Sequence, residues 1–243
     1  MTAINRYPDA QAAADACSDA ILKALDDARR SRGAATLAVS GGSTPRLMFQ
    51  TMAKSGFDWS HIDLFQVDER CVPPDHELSN YRMTREALLD HIHLAHGQVH
   101  RIEGELIPDE AAVRYADNIR DALKLQAHEL PVFDVIQRGM GPDTHTASLF
   151  PGEPLIENVT GIAAAVWVEK MKQHRVTLLR GVLERARRTV MLVSGADKAE
   201  ALKQVLTEPA DYMKHPCQIA ADRADWFVDQ ASAAEIPKAA SGA

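Results

Sequence analysis

Short apolar runs that end at a glycine and lead straight into helix-forming sequence recur along this chain, and that recurrence leaves few folds open. Ala35-Thr36-Leu37-Ala38-Val39 reads as a buried strand, and Ser40-Gly41-Gly42-Ser43-Thr44-Pro45 turns it into a helix running to about Met52. Ile62 to Val67 repeats the strand, followed by an irregular stretch from Asp68 to Leu78 and a helix beginning near Ser79. Phe133-Asp134-Val135-Ile136 leads into Gly139-Met140-Gly141, and Val190-Met191-Leu192-Val193 leads into a helix from about Asp197. Amphipathic spacing predicts further helices over Ala10 to Arg30, closed by Gly33, and over Asp109 to Leu125; strands are expected near Ile162 to Val168 and at Trp226-Phe227-Val228. Strands alternating with helices imply an α/β fold with a mainly parallel sheet and helices on both faces.

Without an internal repeat or linker, residues 1–243 read as one domain, with a flexible tail over about 236–243. The formal net charge of -7 argues against nucleic acid or an anionic membrane as main partner. Cys17, Cys71 and Cys217 are widely spaced and odd in number, which speaks against a disulfide framework or structural zinc. A reducing compartment fits best, and the polar N-terminus reads as neither signal peptide nor membrane span, so a cytoplasmic location is expected.

In such a fold the chemistry collects where strands end. After the strand at Phe133, the segment Gly139 to Gly152 puts Asp143 and His145 in a glycine-flanked turn. A neutral imidazole there can take a proton from water while a carboxylate orients it, although a histidine in a turn also serves simply to bond backbone. The Ser40 to Pro45 turn offers N–H groups and hydroxyls to an anion but lacks the lysine of nucleotide P-loops, and it also reads as an ordinary helix cap. Asp68-Glu69-Arg70 follows a strand, where Arg70 suits a phosphate and Asp68 a sugar hydroxyl or water. Lys170, Lys172, His174 and Arg175 read on their own as a solvated loop, and Arg185, Arg187 and Arg188 as a helix end facing water. His91, His93, His96 and His100 have no accompanying cysteine or ligand scaffold, which weighs against a metal site.

Taken in order, Ser40 to Pro45, Asp68 to Met83 and Gly139 to Gly152 make the chain resemble the 6-phosphogluconolactonase family, with weaker matches at Lys170 to Leu178 and Val193 to Glu200. The resemblance spans about residues 33 to 230 and implies a Rossmann-like three-layer sheet of the NagB/RpiA/CoA-transferase-like type. It also implies hydrolysis of 6-phospho-D-glucono-1,5-lactone to 6-phospho-D-gluconate in the oxidative pentose phosphate pathway, with no cofactor and no metal. Carried over by motif, His145 falls on the catalytic base, with Asp143 and Asp68 beside it. Ser40, Gly41, Gly42, Ser43, Thr44, Arg70, Lys170 and Arg175 fall on the substrate and phosphate site. The expected partner is a small phosphorylated sugar lactone, the protein being a monomer or homodimer.

Glucosamine-6-phosphate deaminases share much of this pattern but continue after the histidine towards Asn-Glu-Pro, whereas this chain reads Thr146-Ala147-Ser148-Leu149-Phe150-Pro151-Gly152. The deaminase and a non-catalytic sugar-phosphate sensor stand as alternatives. Three departures from the family pattern matter. Thr144 stands where glycine is common, Gln137 and Arg138 stand where apolar residues precede the Gly-Met-Gly, and Lys170-Met171-Lys172 lacks the usual prolines.

Overall fold

A computed structural model of the chain describes residues 4–95 and 97–237. In chain order the elements begin with β1 (Ile4–Tyr7), α1 (Ala10–Arg32), β2 (Ala35–Val39), α2 (Ser43–Lys54), β3 (Ile62–Gln66), β4 (Asp68–Arg70), α3 (Asn80–Ala87) and β5 (Val99–His100). They continue with α4 (Pro108–Leu123), β6 (Val135–Arg138), β7 (Ala163–Val168), β8 (Gln173–Leu178), α5 (Arg180–Leu183), β9 (Arg188–Val193), α6 (Ala199–Thr207) and β10 (Asp225–Asp229). Among these residues seven strands form one all-parallel sheet in the order β1-β10-β9-β6-β2-β3-β5. All five residues of β2 are buried, as expected of a strand covered on both faces. Leu37 and Val39 pack with α1 and α2, while Ala38 joins Phe65, Ile136 and the α4 residues Tyr115 and Ile119 on the other face.

The α1 helix shows how sequence sets the packing. Asp9 caps its start by accepting from the Ala12 N–H, and Gly33 ends it at φ +84°. Ala13, Ala14, Cys17, Ile21, Leu22, Leu25 and Ala28 recur at helical spacing and are buried, their small members letting the helix lie close to the sheet.

The stretch after β3 is more ordered than its sequence suggests. The Val67 N–H still bonds to Val39 O in the main sheet, while the Val67 carbonyl already accepts from Leu178 N. At that residue the chain crosses into a second, antiparallel sheet of order β4-β8-β7. Residues 68–70 are therefore a strand, the strand near Ile162 to Val168 belongs to this small sheet, and Arg175 lies on β8 rather than in a solvated loop. Other expectations also change. Strand β6 extends two residues beyond Ile136 because Gln137 and Arg138 find partners inside, in the Ser40 N–H and the Ile219 carbonyl. Burial pushes the Arg138 guanidinium down to about 10. Arg187 and Arg188 do not form a solvated helix end. Arg187 pairs with Asp134 at 3.3 Å, and Arg188 opens β9, bonded to Asp225 at 2.6 Å. Ile236 is buried and its carbonyl accepts from Arg6 at 3.0 Å, so the chain is still anchored where the tail was expected to begin. Residues 238–243 of that expected tail lie outside the described residues.

Glu69 is no solvated charge. Its buried carboxylate accepts from the N–H groups of Arg70, Asn80 and Tyr81, the Ser79 hydroxyl and the Gln66 amide, tying the start of α3 to β4. Burial pushes this carboxyl up, against the amide bonds that favour its ionised form. Glu69→Ala is expected to lower unfolding free energy by about 3 kcal/mol, since buried helix-start donors would lose their acceptor. Urea titration with an unchanged m-value checks it.

Candidate active site

Strand order reverses between β2 and β6, and the loops leaving their carboxyl ends flank the crevice that parallel α/β sheets use for ligands. A cleft of about 300 Å³ opens there. The Ser40–Pro45 turn after β2, Gly139–Pro142 and His145 after β6, Asp68 and Arg70 on β4, and Arg175 on β8 all line it. A larger concavity of about 1090 Å³ lies at the opposite end of the strands. In that second hollow Asp134 pairs with Arg32 at 2.5 Å and with Arg187.

Two glycines let this cleft form. A Cβ on Gly41 would lie 1.9 Å from the Asn80 side-chain oxygen, and one on Gly141 would lie 2.0 Å from His145 Nδ1. Gly141 closes the turn by donating to His145 O at 2.9 Å. His145 Nδ1 meets Asp143 Oδ1 at 2.5 Å, and the ring stacks on Phe150 with centroids 4.2 Å apart. With the carboxylate on Nδ1, that nitrogen carries the proton and Nε2 keeps its lone pair. Partial burial pushes the Asp143 carboxyl up, but the bond and charge of His145, with Lys170, hold it well below the usual carboxylate range. Its contribution to stability is thus present above the unfolded-chain value and lost as the pH falls towards the depressed folded value.

Asp68 is buried and accepts from the Ser148 hydroxyl at 2.7 Å, which Arg175 Nη1 also approaches at 3.5 Å. Burial lowers the Arg175 guanidinium, with Asp68 opposing the shift. Arg70 donates to Leu78 O at 2.6 Å. Among the described residues, four that line the cleft carry a buried polar atom with no partner there: Ser40 Oγ, Ser194 Oγ, Arg70 Nε and Arg175 Nε. Buried polar groups in folded proteins are nearly always bonded, so such a set suits a ligand rich in oxygen. The Ser40 N–H is not available to that ligand, since Gln137 Oε1 accepts it at 3.2 Å.

The family model described as glucosamine-6-phosphate isomerases/6-phosphogluconolactonase matches residues 8–228. The chain belongs to this family. It is 34% identical to a 6-phosphogluconolactonase of Synechocystis over 82% of this chain and 83% of that one. The crystal structure of a 6-phosphogluconolactonase from Thermotoga maritima superposes with a TM-score of 0.81 at 26% identity, covering 94% of this chain and 100% of that one. A monomeric glucosamine-6-phosphate deaminase shares the fold at 15% identity, with a TM-score of 0.81 over 96% of this chain and 100% of that one.

Two expected site residues stand outside the cleft wall. Asp143 is not among its lining residues and reaches it through its bond to His145 Nδ1. Lys170 does not line the cleft. The turn joining β7 and β8 swings its ammonium to the outer side of Asp143, 3.4 Å from Oδ2, while Met171 faces the cleft instead. Asn80, Ser194 and Lys198 line the cleft; they lie within the segments that carry the resemblance but were not among the expected site residues. The signal for Ser194 and Lys198 was the glycine turn after β9, the same strand-to-helix device as Ser40 to Pro45. Two of the histidines weighed as metal ligands have other partners: His91 Nε2 lies 3.0 Å from Glu86 O, and His100 bonds Asn118 and Asp63. His96 lies outside the described residues, and among those described no three His, Cys, Asp or Glu side chains group as a metal site. Nor, among them, is any helix long and apolar enough to cross a membrane.

Proposed function

We propose that His145, oriented by Asp143, activates water for hydrolysis of 6-phospho-D-glucono-1,5-lactone to 6-phospho-D-gluconate. The activity rests on relatives at 32–34% identity that carry the name 6-phosphogluconolactonase and span most of this chain. The observation that supports the base is the 2.5 Å contact between Asp143 Oδ1 and His145 Nδ1 in a ring that lines the cleft. Nε2 takes a proton as water oxygen bonds to C1, and charge grows on the carbonyl oxygen. The C1–ring oxygen bond then breaks, and His145 returns the proton to that oxygen. Asp143 stabilises the imidazolium between the two transfers.

The phosphate end is assigned to the Ser40–Thr44 turn with Arg70 and Arg175. The α2 N-terminus offers N–H groups without helical partners, and the two guanidinium groups have donors to spare. Lys170 leaves this set and joins Asp143. Anchoring one end of the substrate holds C1 against His145, so binding energy becomes alignment. The same reading needs no metal or organic cofactor. It describes a cytosolic enzyme of one domain, monomer or homodimer, whose partner is a phosphorylated sugar lactone and not nucleic acid.

The test is the initial rate of acid release from freshly generated 6-phosphogluconolactone with and without protein, the spontaneous opening being subtracted. Acceleration supports the reading; ammonia release from glucosamine 6-phosphate in its place would move the chain to the deaminase branch. Arg70→Ala is expected to raise KM for the phosphorylated lactone about 10- to 100-fold, the scale of one charge-assisted contact, and to leave the unphosphorylated lactone almost unaffected. Equal losses on the two substrates would remove Arg70 from phosphate recognition.

A further inference from the structure

Two residues with a Cβ adopt left-handed backbone within four positions of the active-site turn: Thr144 at φ +67° and Ala147 at φ +52°. For a β-branched residue this is a costly conformation that persists only where surroundings impose it. Thr144 is buried, sits between Asp143 and His145, and is tied to one segment three times. Its hydroxyl lies 3.3 Å from Lys214 O and 3.2 Å from His215 Nδ1, and its carbonyl accepts from Cys217 N at 2.9 Å. His215 is itself buried and its Nε2 meets Glu208 Oε2 at 3.0 Å.

We propose that Glu208, His215 and Thr144 form a strut that holds the active-site turn in its left-handed form, making His215 a positioning residue for His145. Glu208 fixes which His215 nitrogen does what. With the carboxylate on Nε2, that nitrogen donates, and Nδ1 faces the Thr144 hydroxyl. The hydroxyl has one proton: when it is given to Lys214 O, Nδ1 must be protonated and donate to the hydroxyl oxygen, and when the ring is neutral with its proton on Nε2, Nδ1 takes the hydroxyl proton in place of Lys214 O, so the Thr144–His215 contact is kept in either state. The strut does for this chain what a glycine at position 144 would do without help, since glycine enters positive φ at no steric cost. Thr144 lines no part of the cleft, and the phosphate-gripping groups stand on other elements, so the strut acts on alignment at C1 and not on binding.

This inference rests on His145 being the reactive group of the turn. The experiment compares Thr144→Val with Thr144→Gly. Valine keeps shape and strain but lacks the hydroxyl, and glycine removes the strain. The glycine variant is expected to exceed the valine variant in kcat by about tenfold, with KM within about twofold for both, because small misplacements of a reacting group are costly. His215→Ala is expected to lower kcat about tenfold in the parent and less than twofold when combined with Thr144→Gly. His215→Asn, whose amide can stand where Nδ1 does, should recover most of the loss. A valine variant as fast as the parent, or an equal His215→Ala loss in both backgrounds, overturns the strut. The Thr144 pair decides the matter even if His215→Ala does not fold. Should His145→Asn prove fully active, the reading of the turn fails instead, and the two failures are told apart.

Discussion

His145→Asn is expected to lower kcat for lactone hydrolysis by about 10³-fold while KM stays within about threefold, the scale of losing a positioned general base. The substitution is chosen because the amide nitrogen of asparagine can still donate to Asp143 Oδ1, so the carboxylate keeps a partner and the turn keeps its closure. What vanishes is the basic Nε2. Groups proposed to grip phosphate lie on β4, β8 and the turn after β2, away from the substitution, which is why the loss falls on kcat. The spontaneous opening of the lactone sets the floor, so the measurement is acid release in a weakly buffered solution at several protein concentrations. A variant that hydrolyses at near-parent rates would exclude His145 as the base and shift attention to Asp68, the carboxylate that lines the cleft.

The legible parts of this site were those whose cause is local. Ser40 to Thr44 could be read because a buried strand followed by two glycines and a proline-bearing helix start is one short device. His145 could be read because the glycines around it announce a turn after a strand. Strand β8 was hidden for the opposite reason. Gln173, His174 and Arg175 make its first half polar, and it is a strand only because β4 and β7 flank it from about a hundred and about ten residues away. Arg138 looked misplaced in an apolar strand because its partner, the Ile219 carbonyl, is 81 residues distant. Lys170 misled in its direction, since nothing local in the sequence tells which side of a hairpin turn a lysine takes. Thr144 stands out in the sequence as a departure, yet its ties to Lys214, His215 and Cys217 could not be inferred from position 144 alone.

The second large effect is expected from adding one methyl group. Gly141→Ala places a Cβ 2.0 Å from His145 Nδ1, 2.1 Å from Cε1 and 2.7 Å from Asp143 Oδ1. None of these separations is tolerable, and Gly141 does not occupy positive φ, so the conflict is with the side chains and not with the backbone angles. The ring must move by roughly 1 Å or the turn must open, and displacement on that scale costs on the order of 10² in rate when the moved group performs the chemistry. Phe150 stacks on the same ring, which limits where it can go. Overpacking at a partly exposed turn should cost only about 1–3 kcal/mol of stability, so the protein stays folded while kcat collapses. Gly139→Ala is the comparison, because its added Cβ meets nothing nearer than Leu192 O at 3.8 Å. Its rate loss is expected to be at least about tenfold smaller, as no reacting group is displaced. Parallel measurement of kcat and melting temperature separates the cases: equal rate losses in the two variants, or a Gly141→Ala loss that merely tracks unfolding, would mean that the Asp143–His145 geometry does not set the rate.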